Sequence, residues 1–238
     1  MRAGGRLRYS DGGTSLGHNR RMESETLLRT SEARVHGRYL LRTPTTAGPW
    51  PVLFSFHGYG EDASTNMTAL QRIPNASEWL LVAVQALHPF YTKNERVVAS
   101  WMTRQDRELA IADNVRYVAG VVEAVVHEFG LKASPIVFAG FSQGVAMAYR
   151  AAATIPAAGV IALAGDVPPD VTQPLPGVLI GRGSGDDWYT EGKAAADVAR
   201  LQGLARRVET CVFEGGHEWT DAFAAAAGAF LKRLRGTS

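Results

Sequence analysis

The sequence predicts an α/β protein with a doubly wound, mostly parallel sheet flanked by helices. Short apolar runs that suit buried strands alternate along the chain with helical segments, mostly through short loops. The runs at 52–56 and 135–139 are almost continuously apolar, which is typical of strands buried on both faces. A strongly amphipathic helix is predicted at 106–129, between strands of this kind.

The first part of the chain differs in composition from the rest. Residues 1–25 are rich in Gly, Ser and Arg, and we expect a partly ordered N-terminal arm there, with room for a short edge strand at 5–10. The remainder contains no linker, internal repeat or low-complexity block. We therefore expect a single α/β domain over 26–238.

The other elements follow in order. Alternating apolar residues at 34–42 predict an antiparallel edge strand. Further strands are expected at 79–84, 159–163, 178–180 and 207–213. Further helices are expected at 64–72, 145–154, 190–204 and 220–234. Ser64 is the expected N-cap of the first helix, and residues 88–101, which lack strong periodicity, are expected to form a long connection.

Composition and charge exclude several classes of partner. The chain is 46% hydrophobic and carries 25 basic against 23 acidic residues, a net charge of +2. This balance gives no reason to expect nucleic acid or an anionic membrane as a partner. No run of 18 apolar residues and no secretory leader is present, so we expect a cytoplasmic protein without stable membrane insertion. The single cysteine, Cys211, is expected to be a buried apolar residue of a strand.

The most informative stretch surrounds Ser142. A predicted strand ends at 140–144 in the frame Gly-Phe-Ser-Gln-Gly and a predicted helix follows at once. A sharp turn from strand to helix needs small residues two places before and two places after the serine, because side chains there would meet neighbouring elements. The frame thus predicts a serine held in a strained backbone with its hydroxyl exposed.

Four polar or glycine-rich segments follow predicted strands. They lie at 57–62, 140–144, 181–187 and 214–218. The carboxyl ends of parallel strands meet at one edge of a sheet, so these segments should form one site. A serine, an acid and a histidine follow in the chain order expected of α/β-hydrolases.

This arrangement predicts a catalytic triad. Ser142 is the expected nucleophile, His217 the base that takes its proton, and Asp186 the acid that orients the imidazole. Asp187 is the alternative acid at the next position. The amides of Tyr59 and Gln143 are the expected oxyanion-hole donors, the latter at a helix N-terminus where N–H groups are free.

Several of these residues allow other interpretations. His57 is expected to brace the oxyanion loop as a structural histidine. The stretch from His217 lacks the second histidine of a zinc-protease motif, so no metal is expected. Trp101, Trp188 and Trp219 are candidates for a substrate pocket, and packing in the protein interior is the alternative for each.

Four motifs resemble the phospholipase/carboxylesterase family of α/β-hydrolases, which also contains the acyl-protein thioesterases. They are His-Gly-Tyr-Gly from His57, the Gly-Phe-Ser-Gln-Gly frame, the turn from Gly183 to Asp186, and Gly-His-Glu around His217. The resemblance extends over about 52–234. It implies an α/β-hydrolase fold without a large cap domain and without a cofactor, and it assigns the same five residues to the triad and the oxyanion hole.

The expected function is that of a serine hydrolase that cleaves small carboxylic esters with short to medium acyl chains through an acyl-enzyme. An acyl thioesterase or lysophospholipase on the same fold is the alternative, and a catalytically silent binding protein is a third. Arg182-Gly183 stands where thioesterase members commonly carry His-Gly, and Tyr189-Thr190 where they carry Val-Pro, which argues against protein depalmitoylation. The oligomeric state stays open.

Overall fold

The structure, a computed structural model, describes residues 26–235. The chain divides into two units, Met1–Arg34 and Val35–Ser238. The described residues of the first unit, 26–34, form neither helix nor strand. The second unit contains the described helices and strands. The predicted arm at 1–25 and its edge strand at 5–10 lie outside the described residues.

Nine strands and five α-helices make up the described part of the second unit. The strands are β1 Tyr39–Arg42, β2 Val52–Phe56, β3 Leu80–Val84, β4 His88–Tyr91, β5 Val97–Ser100, β6 Ile136–Phe141, β7 Gly159–Leu163, β8 Leu175–Gly183 and β9 Ala205–Phe213. The helices are α1 Ala63–Gln71, α2 Arg107–Glu128, α3 Gln143–Thr154, α4 Glu191–Leu201 and α5 Asp221–Arg235. A short 3₁₀ helix, Ala76–Glu78, precedes β3.

Seven strands form one sheet in the order β1-β3-β2-β6-β7-β8-β9. Strand β1 runs antiparallel to β3 at one edge, and every other neighbouring pair is parallel. The predicted mostly parallel sheet and its antiparallel edge strand are confirmed. Every residue of β2, β3 and β7 is buried, as their continuous apolar runs indicate.

The strand register brings the predicted site segments to one edge of the sheet. Phe56 at the end of β2 pairs with Gly140 of β6, and Phe141 pairs with Leu163 of β7. At the far side, the final residue of β8, Gly183, pairs with Phe213 at the end of β9. The loops that carry the histidine, the serine and the acid therefore emerge side by side.

The connection predicted at 88–101 is instead an antiparallel hairpin of β4 and β5. Each strand has only four residues, and β4 is mostly exposed, so neither produces a readable alternation of apolar and polar residues. An additional bridge between Glu61 and Ala99 ties the hairpin to the loop after β2. The hairpin thus becomes part of the site.

Two smaller expectations are corrected. The N-cap of α1 is Asp62 rather than Ser64, because the Asp62 carboxylate accepts a 2.7 Å hydrogen bond from the Thr65 amide. Cys211 is half-buried on β9 rather than fully buried. None of the helices in residues 26–235 combines the length and apolarity needed to cross a membrane.

Candidate active site

The turn between β6 and α3 holds Ser142 in a strained conformation. Its φ of 50° and ψ of −118° lie where L-residues are rarely found. A Cβ at Gly140 would overlap the Gly144 backbone, and a Cβ at Gly144 would overlap the Phe56 carbonyl oxygen. Both glycines of the frame are therefore required by close backbone approach, and the predicted strained turn is confirmed.

Ser142, His217 and Asp186 form a hydrogen-bonded chain. His217 Nε2 lies 2.8 Å from Ser142 Oγ, and His217 Nδ1 lies 2.9 Å from Asp186 Oδ2. With the ring proton on Nδ1, His217 donates to the carboxylate and accepts from the serine hydroxyl at Nε2. The alternative acid, Asp187, is exposed, and Asp186 is the aspartate that contacts the imidazole.

The Asp186 carboxylate is held ionised by its surroundings. Its side chain is fully buried, and burial alone would raise its pKa. Hydrogen bonds from the Tyr189 amide, from His217 and from the Trp188 amide outweigh that effect and hold the pKa of Asp186 below its usual range. A carboxylate fixed in this way keeps the Nδ1–H of His217 directed away from the serine.

The loops that carry the acid and the histidine pack tightly against each other. A Cβ at Gly183 would overlap the carbonyl oxygens of Gly215 and Gly216. The Gly185 amide donates a 2.9 Å hydrogen bond to the Gly215 carbonyl oxygen. The glycines at the end of β8 and after β9 thus allow the two loops to meet, which places His217 beside Asp186.

The loop after β2 carries Tyr59, which lines one cavity together with Ser142 and His217. Glu61 Oε2 accepts a 2.8 Å hydrogen bond from the Gly58 amide, and the Gly60 amide donates to Ala99 O at 3.1 Å. Gly60 has a φ of 73°, a conformation that favours glycine. Among residues 26–235, neither the Tyr59 nor the Gln143 amide donates a hydrogen bond, so both are available to an incoming oxyanion.

His57 is a structural residue in this geometry. The Ala86 amide donates to His57 Nε2 at 3.1 Å, so the ring proton lies on Nδ1 and donates to the Gly58 carbonyl oxygen at 2.7 Å. Burial lowers the pKa of this ring. His57 is therefore neutral, with both nitrogens engaged, and it cannot serve as the base. Its predicted bracing role agrees with these contacts.

Two polar side chains support the site in ways that the sequence did not predict. The side chain of Gln143 accepts from the Trp101 amide at 2.8 Å and donates to Met102 O at 3.0 Å. Asn114, fully buried on α2, donates to Trp101 O at 2.9 Å. A lone asparagine on the apolar face of a helix is a signal for such a role, since buried polar groups need partners.

Glu61 is the third supporting residue. Burial raises the pKa of its carboxyl, against the opposing effects of the Gly58 amide and of Arg96. Its backbone also accepts a 2.8 Å hydrogen bond from the Ala99 amide. Glu61 thereby joins the oxyanion loop to the β4–β5 hairpin, a contact between segments nearly forty residues apart that no local pattern indicates.

The three candidate pocket tryptophans lie in different environments. Trp101 is fully buried and donates from Nε1 to His57 O at 2.8 Å, so the expected alternative of packing in the protein interior applies to it. Trp188 is 75% exposed and lines a cavity of about 760 Å³ together with Ser142. Trp219 packs on Phe223 and lines a second cavity of about 430 Å³. His217 lines both cavities.

No group of three or more His, Cys, Asp or Glu side chains in the described part of the chain is placed to hold a metal ion. The chemistry available at the edge of the sheet is that of a serine hydroxyl, an imidazole, a carboxylate and two free amides. Together they suit nucleophilic attack on a carbonyl carbon.

Solved structures show which class of fold this is. The carboxylesterase of Bacillus cereus superposes with a TM-score of 0.68 at 17% identity, covering 83% of this chain and 94% of that one. The carboxylesterase of Mesorhizobium loti has a TM-score of 0.65 at 23% identity, with 76% and 88% covered. Arabidopsis thaliana SOBER1 has a TM-score of 0.64 at 19% identity. The chain has the α/β-hydrolase fold, without a large cap domain in the described residues.

The family follows from the sequence match. The phospholipase/carboxylesterase family model matches residues 48–182, more than half of the chain. The protein belongs to this family and is a hydrolase. The matched range includes Tyr59, Ser142 and Gln143 and ends before Asp186 and His217. A search of the curated proteins finds no match to this chain.

Proposed function

We propose that this protein is a metal-independent serine esterase that cleaves carboxylic esters through an acyl-enzyme. Ser142 is the nucleophile, His217 the general base and acid, and Asp186 the orienting carboxylate. The observation that carries this assignment is the continuous chain from Ser142 Oγ through His217 to Asp186, with contacts of 2.8 and 2.9 Å. Both distances are those of hydrogen bonds, as required for proton transfer from Ser142 and for orientation of the His217 ring.

In the first half-reaction, Ser142 Oγ forms a bond to the ester carbonyl carbon while its proton passes to His217 Nε2. The carbonyl oxygen becomes an oxyanion that accepts hydrogen bonds from the Tyr59 and Gln143 amides. Collapse of this intermediate breaks the bond to the alcohol oxygen, which takes the proton from His217. The acyl group is then bound to Ser142 as an ester.

In the second half-reaction, water replaces the alcohol. His217 takes one proton from the water as its oxygen attacks the acyl carbon, and the proton is returned to Ser142 Oγ when the carboxylic acid leaves. Asp186 stays ionised and stabilises the imidazolium in both halves. The reaction needs only the ester, water and these side chains.

The substrate side of the proposal rests on the larger cavity. Its volume of about 760 Å³ suits a small ligand, and this supports an ester with a short to medium acyl chain. A thioester or a lysophospholipid could react by the same steps, and these remain the alternative substrates. A small-molecule ester in the cytoplasm is the partner and location we expect.

Hydrolysis of p-nitrophenyl acetate and butyrate tests the proposal. We expect the purified protein to release p-nitrophenol with turnover, and Ser142→Ala to be reduced to near the rate of buffer. Matched oxygen esters, thioesters and amides, ranked by kcat/KM, separate the esterase from its alternatives. A wild type no faster than Ser142→Ala would overturn the esterase assignment, and rates at the buffer level for both would favour a silent binding protein.

A further inference from the structure

The larger cavity has a strongly asymmetric charge. Three cationic side chains line it, Arg104, Arg107 and Lys193, against one exposed acid, Asp166. Lys193 Nζ lies 3.8 Å from Asp166 Oδ1 and donates to Trp188 O at 2.7 Å. That cation is therefore already engaged, and the cationic surplus lies at the two arginines where the chain enters α2.

One further acid near the cavity, Asp170, is paired with a cation of its own. The Asp170 carboxylate accepts two hydrogen bonds from Arg150, at 2.7 and 2.8 Å. Those bonds, followed by the charges of Arg150 and Arg107, hold the pKa of Asp170 below its usual range even though partial burial opposes them. Asp170 is hydrogen-bonded to Arg150 and acts on Arg107 only through its charge, so the guanidinium N–H groups of Arg107 are not used by Asp170.

A further guanidinium fixes one wall of the cavity. Arg200 donates hydrogen bonds to the carbonyl oxygens of Val167, Pro169 and Val171. The segment that borders the cavity beside Ser142 is thus held in place by cations. A cleft lined by one sign of charge concentrates ligands of the opposite sign.

Within residues 26–235, no side-chain hydrogen bond or close ion pair holds Arg104 or Arg107, although the charges of Arg107 and Asp170 interact. Both are exposed, and both border the cavity that contains Ser142 and His217. An arginine fork binds a planar carboxylate through two parallel N–H···O bonds. Such a group on the substrate would leave its ester carbonyl free to reach the serine.

We propose that the preferred esters of this site carry a carboxylate that binds Arg104 and Arg107 at the α2 end of the larger cavity. This assignment rests on the esterase function proposed above and names its substrate class. Because the carboxylate is remote from the reacting carbon, it contributes binding in the ground state and in the transition state alike. The effect should therefore appear mainly in KM.

Two matched substrate pairs test the assignment on either side of the ester bond. Monoethyl adipate against ethyl hexanoate places the carboxylate on the acyl side, and 4-acetoxybutanoate against butyl acetate places it on the alcohol side. We expect at least one charged ester to exceed its neutral partner about 10-fold in kcat/KM, the size of a charge-assisted hydrogen bond at a partly exposed site. Raising the salt to about 0.5 M should shrink that ratio.

Arg104→Gln and Arg107→Gln should lower the charged-to-neutral ratio, and the double variant should bring it close to one. Arg206→Gln is the matched control. It removes the same charge from an exposed position at the beginning of β9, whereas the site lies at the carboxyl ends of the strands. It should leave the ratio unchanged.

The outcomes separate this inference from the proposed function. Neutral esters that are hydrolysed as fast as charged ones in both pairs overturn the carboxylate preference alone. A ratio that responds to Arg206→Gln as much as to the cavity arginines also overturns it, because the effect would then be one of overall charge. A wild type that hydrolyses none of the four esters contradicts the esterase function itself.

Discussion

His217→Ala is expected to lower kcat for p-nitrophenyl butyrate by about 10⁴- to 10⁶-fold. Its Nε2 is 2.8 Å from Ser142 Oγ, and without the imidazole no other base in the described residues contacts the hydroxyl. His57 cannot substitute, because its Nε2 accepts a hydrogen bond from the Ala86 amide and its Nδ1 donates one to Gly58 O. Steady-state kinetics at pH 7.5 measure the loss.

The loss should also be non-additive with that of the serine. If Ser142 and His217 act as one unit, the double alanine variant should be no slower than either single variant. His127→Ala, at an exposed position near the end of α2, is the matched control and should retain wild-type rates. Additive losses, or a His217→Ala variant within about 10-fold of the wild type, would remove His217 from the role of base.

Asp186→Asn is expected to lower kcat by about 10⁴-fold with the fold intact. An asparagine can keep its Oδ1 on the Trp188 and Tyr189 amides, which Asp186 Oδ1 now accepts at 2.8 and 2.9 Å. Its amide NH₂ would then face His217 Nδ1 and donate to it. The ring proton would move to Nε2, and the imidazole could no longer accept the proton of Ser142.

Asp187→Asn is the control for this change. Asp187 is the neighbouring residue, it is exposed, and the same substitution there should leave kcat within about 3-fold of the wild type because surface changes have small effects. Thermal unfolding of both variants shows whether a loss of activity comes from a misoriented His217 ring or from a destabilised fold. A larger loss of activity from Asp187→Asn than from Asp186→Asn would reverse the choice between the two acids.

Local sequence patterns were sufficient to predict the structure wherever one short stretch of the chain determined the geometry. The two glycines around Ser142 are required by contacts within and beside the turn, so their spacing predicted the strained serine. The continuous apolar runs of β2 and β7 predicted strands buried on both faces. Because parallel strands end at one edge, the order of serine, acid and histidine also predicted which residues would meet.

Contacts between distant segments were not predictable in the same way. Glu61 meets the hairpin strand β5 at Ala99, and the side chain of Gln143 holds the backbone at Trp101. Neither contact produces a periodic pattern in the sequence. For this reason the sequence left both pocket and interior open for Trp101, whose ring packs against that of His57 in the folded protein. The sequence likewise did not indicate that the side chains of Arg104 and Arg107 would line one cavity with Ser142.

The most direct test of the proposed mechanism is the position at which a fluorophosphonate probe attaches. After labelling, intact-mass measurement and peptide mapping should find one adduct, on Ser142, and the adduct should be absent from Ser142→Ala and form far more slowly on His217→Ala. The exposed Ser184, in the loop that carries Asp186, should stay unmodified. Absence of labelling, or an adduct on Ser184 or another residue in place of Ser142, would contradict the assignment of Ser142 as the nucleophile.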